Sequence, residues 1–311
     1  MKQLRICIFL FLAAALALPQ AAAAADRVVL LENFTNVSCG PCATANPTTS
    51  QFVDDYGSTE PISVINVQYH VWWPGSTDPM YLAALDDCVA ATNYYGVSAV
   101  PDLMTDGANT PNPGDYDAML AERNDRLAIP SPLTIDVTHT IGADCALTVE
   151  ATIHADSAVP ASGLVARIAL VESEINYDAP PGSNGETDFY CTMRKMLPDF
   201  GGTPLAISEG GTVVVTETVD LDPEWSRLYA VVWVQDTATN EVLQSARSWP
   251  ADDIYWKEYD LSLVGTKPIG LTELNQTIVL TSELENTGLN ADTYDVVLDK
   301  SGLPMGWTAT A

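Results

Sequence analysis

The sequence predicts an α/β layer domain, then an antiparallel β-sandwich, then part of a third β module. Three observations carry this. Over residues 26–129, apolar runs of strand length alternate with stretches of helical character, the pattern of an α/β layer architecture. From residue 130 the alternation becomes apolar/polar with period two, punctuated by Gly, Pro and Asp turns, as in a sandwich. Residues 251–311 restart as β and stop partway through another such module.

The elements follow in order. RVVLLENFT (27–35) is a β-branched and Leu run too short for a helix, so it reads as a buried strand. Cys39-Gly40-Pro41-Cys42 comes next, then an interrupted helical stretch to about Tyr56. ISVINVQY (62–69) is a second strand with Ile62, Val64 and Asn66 on one face. After a Trp-Pro-Gly turn, a helix is expected from about Pro79 to Tyr95, as an insert. GVSAVPDLM (96–104) reads as a third strand, and Asp106-Gly107 as a turn. Asp115 is a plausible N-cap for a helix reaching Leu127. In the second domain (130–250), Leu133, Ile135 and Val137 alternate with polar residues, as do Leu147, Val149, Ala151 and Ile153. Further strands are expected at 163–171, 212–218, 228–235 and 241–246, and the loop DAPPGSNGETD (178–188) is expected to be mobile. The final runs YDLSL, TIVLTSELENTG and DTYDVVL form the partial module, which reads as truncated.

The amino terminus has the three parts of a secretory leader. Lys2 and Arg5 precede an apolar core from Ile6 to Leu18, and Ala22–Ala25 supply small residues for cleavage before Asp26. Residues 1–25 are therefore expected to be removed on export to the periplasm, the outer membrane or the exterior. That apolar run is too short for a comfortable span, and no later stretch approaches the ~20 apolar residues of a transmembrane helix. The 311 residues carry 41 acidic and 13 basic side chains, a net charge of −28. That charge argues against phosphate backbones and anionic membranes as partners, since both need a basic face.

Of six cysteines, Cys7 falls in the leader. The other five (Cys39, Cys42, Cys88, Cys145 and Cys191) would meet an oxidising compartment, where an odd count leaves at least one thiol without an intramolecular partner. A Cys-x-x-Cys between strand and helix has a mechanical purpose. The first Cys sits where unpaired helix amides and the helix dipole stabilise a thiolate. The second, one turn further in, can attack a mixed disulfide from behind. Gly40 and Pro41 tighten the turn, and Pro41 brings no N–H. Half of a zinc site looks the same, but no second Cys-x-x-Cys or close His pair accompanies it, so neither metal nor cofactor is expected.

Cys39-Gly40-Pro41-Cys42 with Pro47 five residues on resembles the active-site helix of the thioredoxin-like superfamily. Val100-Pro101 resembles the segment that holds a cis-proline opposite the dithiol in that superfamily. More widely, VLLENFTNVSCGPC, His70 and the stretch DFYCTMRKMLPDFGGT are similar to the outer-membrane-protein-twenty-eight-related family of bacterial envelope proteins. The resemblance implies an α/β thioredoxin-like domain with a helical insert, followed by an Ig-like β-sandwich. The closing segment, with ENTG, TYDV and LPMGWTA, is similar to bacterial surface β-sandwich modules and implies surface association. In thioredoxins a buried Asp on the first strand serves the second Cys; Asn33 stands there in this chain, with Glu32 beside it.

The expected function is thiol–disulfide exchange with extended polypeptides. Cys39 attacks, Cys42 resolves, and Val100 and Pro101 shape the groove. Glu32 and His70 are candidate proton relays, and Cys145 and Cys191 a candidate structural bridge. Cys88 is expected to be a buried free thiol. The expected partners are thiol- or disulfide-containing envelope proteins, with no nucleic acid. The alternative is an envelope or cell-surface binding protein in which Cys39–Cys42 is a static disulfide.

Overall fold

The computed structural model describes residues 25–248, apart from 59, 109, 142–145, 161–162, 223–224 and 226, together with two strands at 261–265 and 282–286. The expected leader, but for its last residue, and most of the expected third module lie outside the described residues.

The first strand, β1 (Val29–Thr35), is followed by α1 (Cys42–Gly57) and β2 (Val64–His70). Then come α2 (Pro79–Ala83), α3 (Leu85–Tyr95), β3 (Asp102–Thr105) and α4 (Tyr116–Leu127). From there the described chain is all strand: β4 (Leu133–Ile141), β5 (Ala146–Ala155), β6 (Leu164–Asn176), β7 (Asp188–Leu197) and β8 (Thr203–Pro204). It continues with β9 (Thr212–Asp220), β10 (Leu228–Asp236), β11 (Val242–Arg247), β12 (Leu261–Gly265) and β13 (Ser282–Asn286).

The α/β thioredoxin-like fold class expected from sequence is overturned here. Helix accounts for only 21% of the described residues, and strand, in mixed sheets, is the dominant element among them. β1, β2 and β3 do not close a layer of their own. They are one end of an eight-stranded sheet of order β11-β10-β6-β7-β2-β1-β3, with β8 beside β6. The joint is β7, which runs antiparallel to β6 and meets β2 in parallel at Gln68↔Thr192. Its run DFYCTMRKML does not read as a strand, because Arg194 and Lys195 interrupt the apolar alternation. The structure buries that break by pairing Arg194 with Glu172 at 2.6 Å.

Three packing faces hold the sheet. Leu30, Phe34, Ile65 and Tyr69 pack under Tyr81, Ala84, Cys88 and Ala91 of the α2–α3 segment, and this cluster continues into Val171, Tyr229, Val231 and Trp233. The opposite face of β1–β3 (Val29, Leu31, Val64, Leu103) packs on Phe52 of α1 and Met119 of α4. Under β6 and β10, the three-stranded sheet β4-β5-β9 covers Ala166, Ile168, Ala230 and Val232. Each large apolar side chain buried this way contributes about 1.5–3 kcal/mol.

Two local expectations also change. The helix expected from Pro79 to Tyr95 breaks at Ala84, whose φ of −133° and ψ of 40° are not helical. The third strand starts only at Asp102, because Gly96 ends α3 at φ 65° and Pro101 has no N–H to give a ladder. Asp115 caps α4 as expected, accepting from the Ala118 N–H at 3.0 Å.

Candidate functional site

The site forms where β1 hands over to α1. Beyond Thr35, Asn36 fixes the turn: its Nδ2 donates to the carbonyls of Val71 at 2.6 Å and Gly75 at 2.8 Å, and its Oδ1 accepts from the Ser38 N–H at 2.9 Å. Cys39 and Cys42 are joined in a disulfide. Helix α1 has no side-chain cap; its first amide, the Cys42 N–H, points at the Cys39 sulfur 3.1 Å away. The same sulfur lies 3.5 Å from the Val100 carbonyl oxygen, and the Val100–Pro101 peptide is cis. A disulfide sulfur carries no proton, so the Val100 approach is a contact and not a donated hydrogen bond. Gly40 and Pro41 are exposed at the turn, and Pro47 is exposed on the outer side of α1.

Both sulfur-bearing residues are nonetheless covered. Cys39 is 3% exposed and Cys42 is fully buried. Across the turn that carries them runs the 178–188 loop, expected to be mobile and found instead as a strap fastened between β6 and β7. The Asn184 N–H donates to the Val37 carbonyl at 3.1 Å, and Asn184 Nδ2 donates to the carbonyls of Asn36 and Cys39, both at 3.3 Å. The Ser183 N–H donates to Ser38 Oγ at 3.4 Å, and Asn46 Nδ2 of α1 holds Glu186 Oε1 at 2.8 Å. Gly182 lies so close that a Cβ there would sit 2.2 Å from the Val37 carbonyl oxygen, which explains glycine at that position.

Neither candidate proton relay is shown in contact with the disulfide. Glu32 points to the other face of β1, where it accepts from Tyr95 Oη at 2.5 Å and Tyr69 Oη at 3.2 Å. Burial lifts its carboxyl to a pKa of about 7, against the opposing pull of Tyr95, Arg167 and Tyr69. Asn33 is on the α1 face, fully buried, with neither amide atom partnered. His70 is buried and pairs through Nδ1 with Asp78 Oδ2 at 2.8 Å, while its Nε2 faces Gln68 Oε1 at 3.3 Å. Asp78 also accepts from the Val37 N–H at 2.9 Å and caps α2 through Met80 and Tyr81. Burial alone would raise the Asp78 carboxyl; His70 and the backbone donors outweigh it and hold the group below its ordinary value. His70 thus fixes the loop that carries Val37, two residues before Cys39.

The expected Cys145–Cys191 bridge falls partly outside the described residues. Cys191 is a free thiol on β7 beside Tyr229, its pKa pushed up by burial; Cys145 lies outside the described residues. Cys88 is free and buried, and burial pushes its thiol up strongly. Among the described residues, no group of three or more His, Cys, Asp or Glu is placed to hold a metal ion, and no helix is long and apolar enough to cross a membrane. Asn36, Asp78 and the strap residues Gly182 and Asn184 were missed by sequence reasoning. Their local signals are Asn-Gly at 184–185, which marks a turn, and Asp78 before Pro79, which marks a helix start; neither says which distant group is bound.

No family model matches the chain, and no curated protein matches it. Solved structures are. HBP35 of Porphyromonas gingivalis overlays 85% of this chain and 95% of its own, with a TM-score of 0.60 and 13% identity. A protein of Agrobacterium tumefaciens overlays 74% of this chain and 97% of its own, with a TM-score of 0.52 and 15% identity. A domain of the outer membrane lipoprotein Omp28 from Porphyromonas gingivalis overlays 38% of this chain and 87% of its own, at 13% identity; its TM-score of 0.28 carries no argument. At these identities, the first two likenesses establish a shared fold and nothing about activity.

Proposed function

We propose that this chain is an exported envelope or cell-surface binding protein in which Cys39–Cys42 is a static cross-link. One observation carries the reading: beside the fastened strap, Cys39 is 3% exposed and Cys42 is fully buried. Exchange requires a thiolate to reach a disulfide sulfur from outside, and burial of both cysteines closes that approach in the folded chain. The absence of an acid facing Cys42 from β1, where Asn33 stands, supports it further, since a resolving thiol needs a proton acceptor. The leader-like segment over residues 1–25 supports export.

Disulfide exchange with extended polypeptides through Cys39 and Cys42 is the second reading. Its specific support is the Cys42 amide aimed at the Cys39 sulfur, with the Val100 carbonyl at the same atom. Expressing Cys42→Ser and Cys39→Ser variants in an oxidising compartment separates the two on a non-reducing gel. The binding reading expects no reductant-sensitive adducts with either variant. Adducts formed by Cys42→Ser alone would replace it with the exchange reading.

A further inference from the structure

The carboxyl-terminal end of the strap and the first turns of α1 enclose a pocket of about 360 Å³, within the size range of small-molecule sites. Glu186 and Asp188 supply its charge, Asn46 and Gln68 its buried polar surface, and Pro47, Phe189 and Tyr190 its apolar and aromatic surface. None of its described lining residues is basic. Glu186 is half-buried, its carboxylate hydrogen-bonded by the amides of Asn46 and Asn184, and burial raises its carboxyl against those bonds and a weaker pull from His70. A carboxylate taken out of water without a cation in direct contact is costly.

The inner wall has one unpaired acceptor, and the sheet face behind it has more unpaired polar atoms. Asn46 is 7% exposed, and its Oδ1 accepts nothing. Gln68 is in register with Asn33 on β1 and Thr192 on β7, so the three side chains share one face of the sheet. Asn33 and Thr192 are fully buried with unpaired polar atoms, and Asn66 Oδ1, one step along β2, is unpaired as well. Each buried unpaired group costs about 1–3 kcal/mol, and native interiors seldom gather several in one place. On the pocket wall itself the buried Asn46 Oδ1 is left to receive a donor.

From this we infer that the pocket binds an organic cation, a primary ammonium or guanidinium on a short aliphatic stem. Such a head group carries only donors, which matches Glu186 and the free Asn46 Oδ1. Tyr190 offers an aromatic face to the cation, and Pro47 and Phe189 offer apolar surface to the stem. A divalent metal fits worse, because it needs several hard oxygen ligands and no cluster of three such residues exists among those described. The inference rests on the binding reading above and names its ligand class.

Calorimetric titration of the mature chain tests it with three probes: agmatine, a capped Ala-Arg-Ala tripeptide, and the same tripeptide with uncharged citrulline for arginine. Saturable binding of agmatine or the arginine peptide is expected, with the citrulline peptide at least about tenfold weaker. Binding of the peptide alone assigns a polypeptide side chain as the source; binding of agmatine alone assigns a free amine. Glu186→Gln keeps the acceptor for Asn46 and should weaken binding at least about tenfold. Asp188→Asn, at an exposed position, should weaken it less and leave the fold intact. Equal affinity for the arginine and citrulline peptides, unchanged affinity in Glu186→Gln, or no binding of either cationic probe overturns the inference. The Cys42→Ser trapping experiment does not involve this pocket, so a failed titration leaves the proposed function to be judged there.

Discussion

Replacing Glu32 with glutamine should change how stability depends on pH. Glu32 is fully buried on β1 and faces Tyr69 of β2, Tyr95 of α3 and Arg167 of β6, with Asp106 beyond β3 adding repulsion. Its pKa rises from 4.5 to about 7, with burial the largest cause. A raised carboxyl binds its proton more tightly in the folded chain than in the unfolded one. Wild-type stability from this group is therefore full below about pH 4.5 and is lost as pH climbs through about 7. Roughly two and a half units at about 1.36 kcal/mol each gives a loss of about 3 kcal/mol. The amide introduced by Glu32→Gln does not ionise, so the loss should vanish. Arg167 keeps its Gln235 partner and its seat over the Tyr94 and Phe200 rings, 4.3 and 4.2 Å from their centroids. Urea unfolding of both proteins, with the disulfide intact, gives the stability difference at each pH. Between about pH 4.5 and pH 8 that difference should move in favour of Glu32→Gln by about 3 kcal/mol. A difference constant to within about 0.5 kcal/mol, or moving the other way, would refute the argument.

Two other expectations follow from the packing. Gly182→Ala puts a Cβ 2.2 Å from the Val37 carbonyl oxygen, so the strap must lift; reduction of Cys39–Cys42 by dithiothreitol should become at least several-fold faster, read by mass after alkylation, and an unchanged rate would mean the strap does not guard the sulfurs. Because β7 ties β2 to β6, the slowest amides of β1, β6 and β10 should exchange with deuterium at one common free energy; a β1 plateau lower by about 2 kcal/mol or more would show that the two halves of the sheet open separately.

Much of the chain's local structure was legible because it is written in short-range signals. The apolar run at 27–35 contains β1, Asp115 caps α4, and the alternation from Leu133 opens β4. The Cys-x-x-Cys was legible too, since its spacing and place after a strand are local. The fold class was not legible, because it turns on one long-range pairing, Gln68↔Thr192, made by a strand whose charged residues hid its period. Asn36 and Asn184 escaped for a related reason. Both act on backbone carbonyls far away in sequence, and nothing in an Asn at a turn says which carbonyl it will find. The orientation of Glu32 away from the disulfide was the exception. Alternation along an ideal strand predicts it, and β1 is regular enough to obey.

The central claim is that the strap makes Cys39–Cys42 a static cross-link, and the most direct measurement is reductive labelling of the native mature chain. The folded protein is held in dithiothreitol, quenched with N-ethylmaleimide at intervals, and the Cys39–Cys42 peptide is weighed; a urea-unfolded sample gives the unguarded rate. The account predicts native labelling at least about a hundredfold slower than unfolded, limited by opening of the strap or of the fold. Native labelling as fast as unfolded, accompanied by catalytic reduction of insulin disulfides, would contradict it.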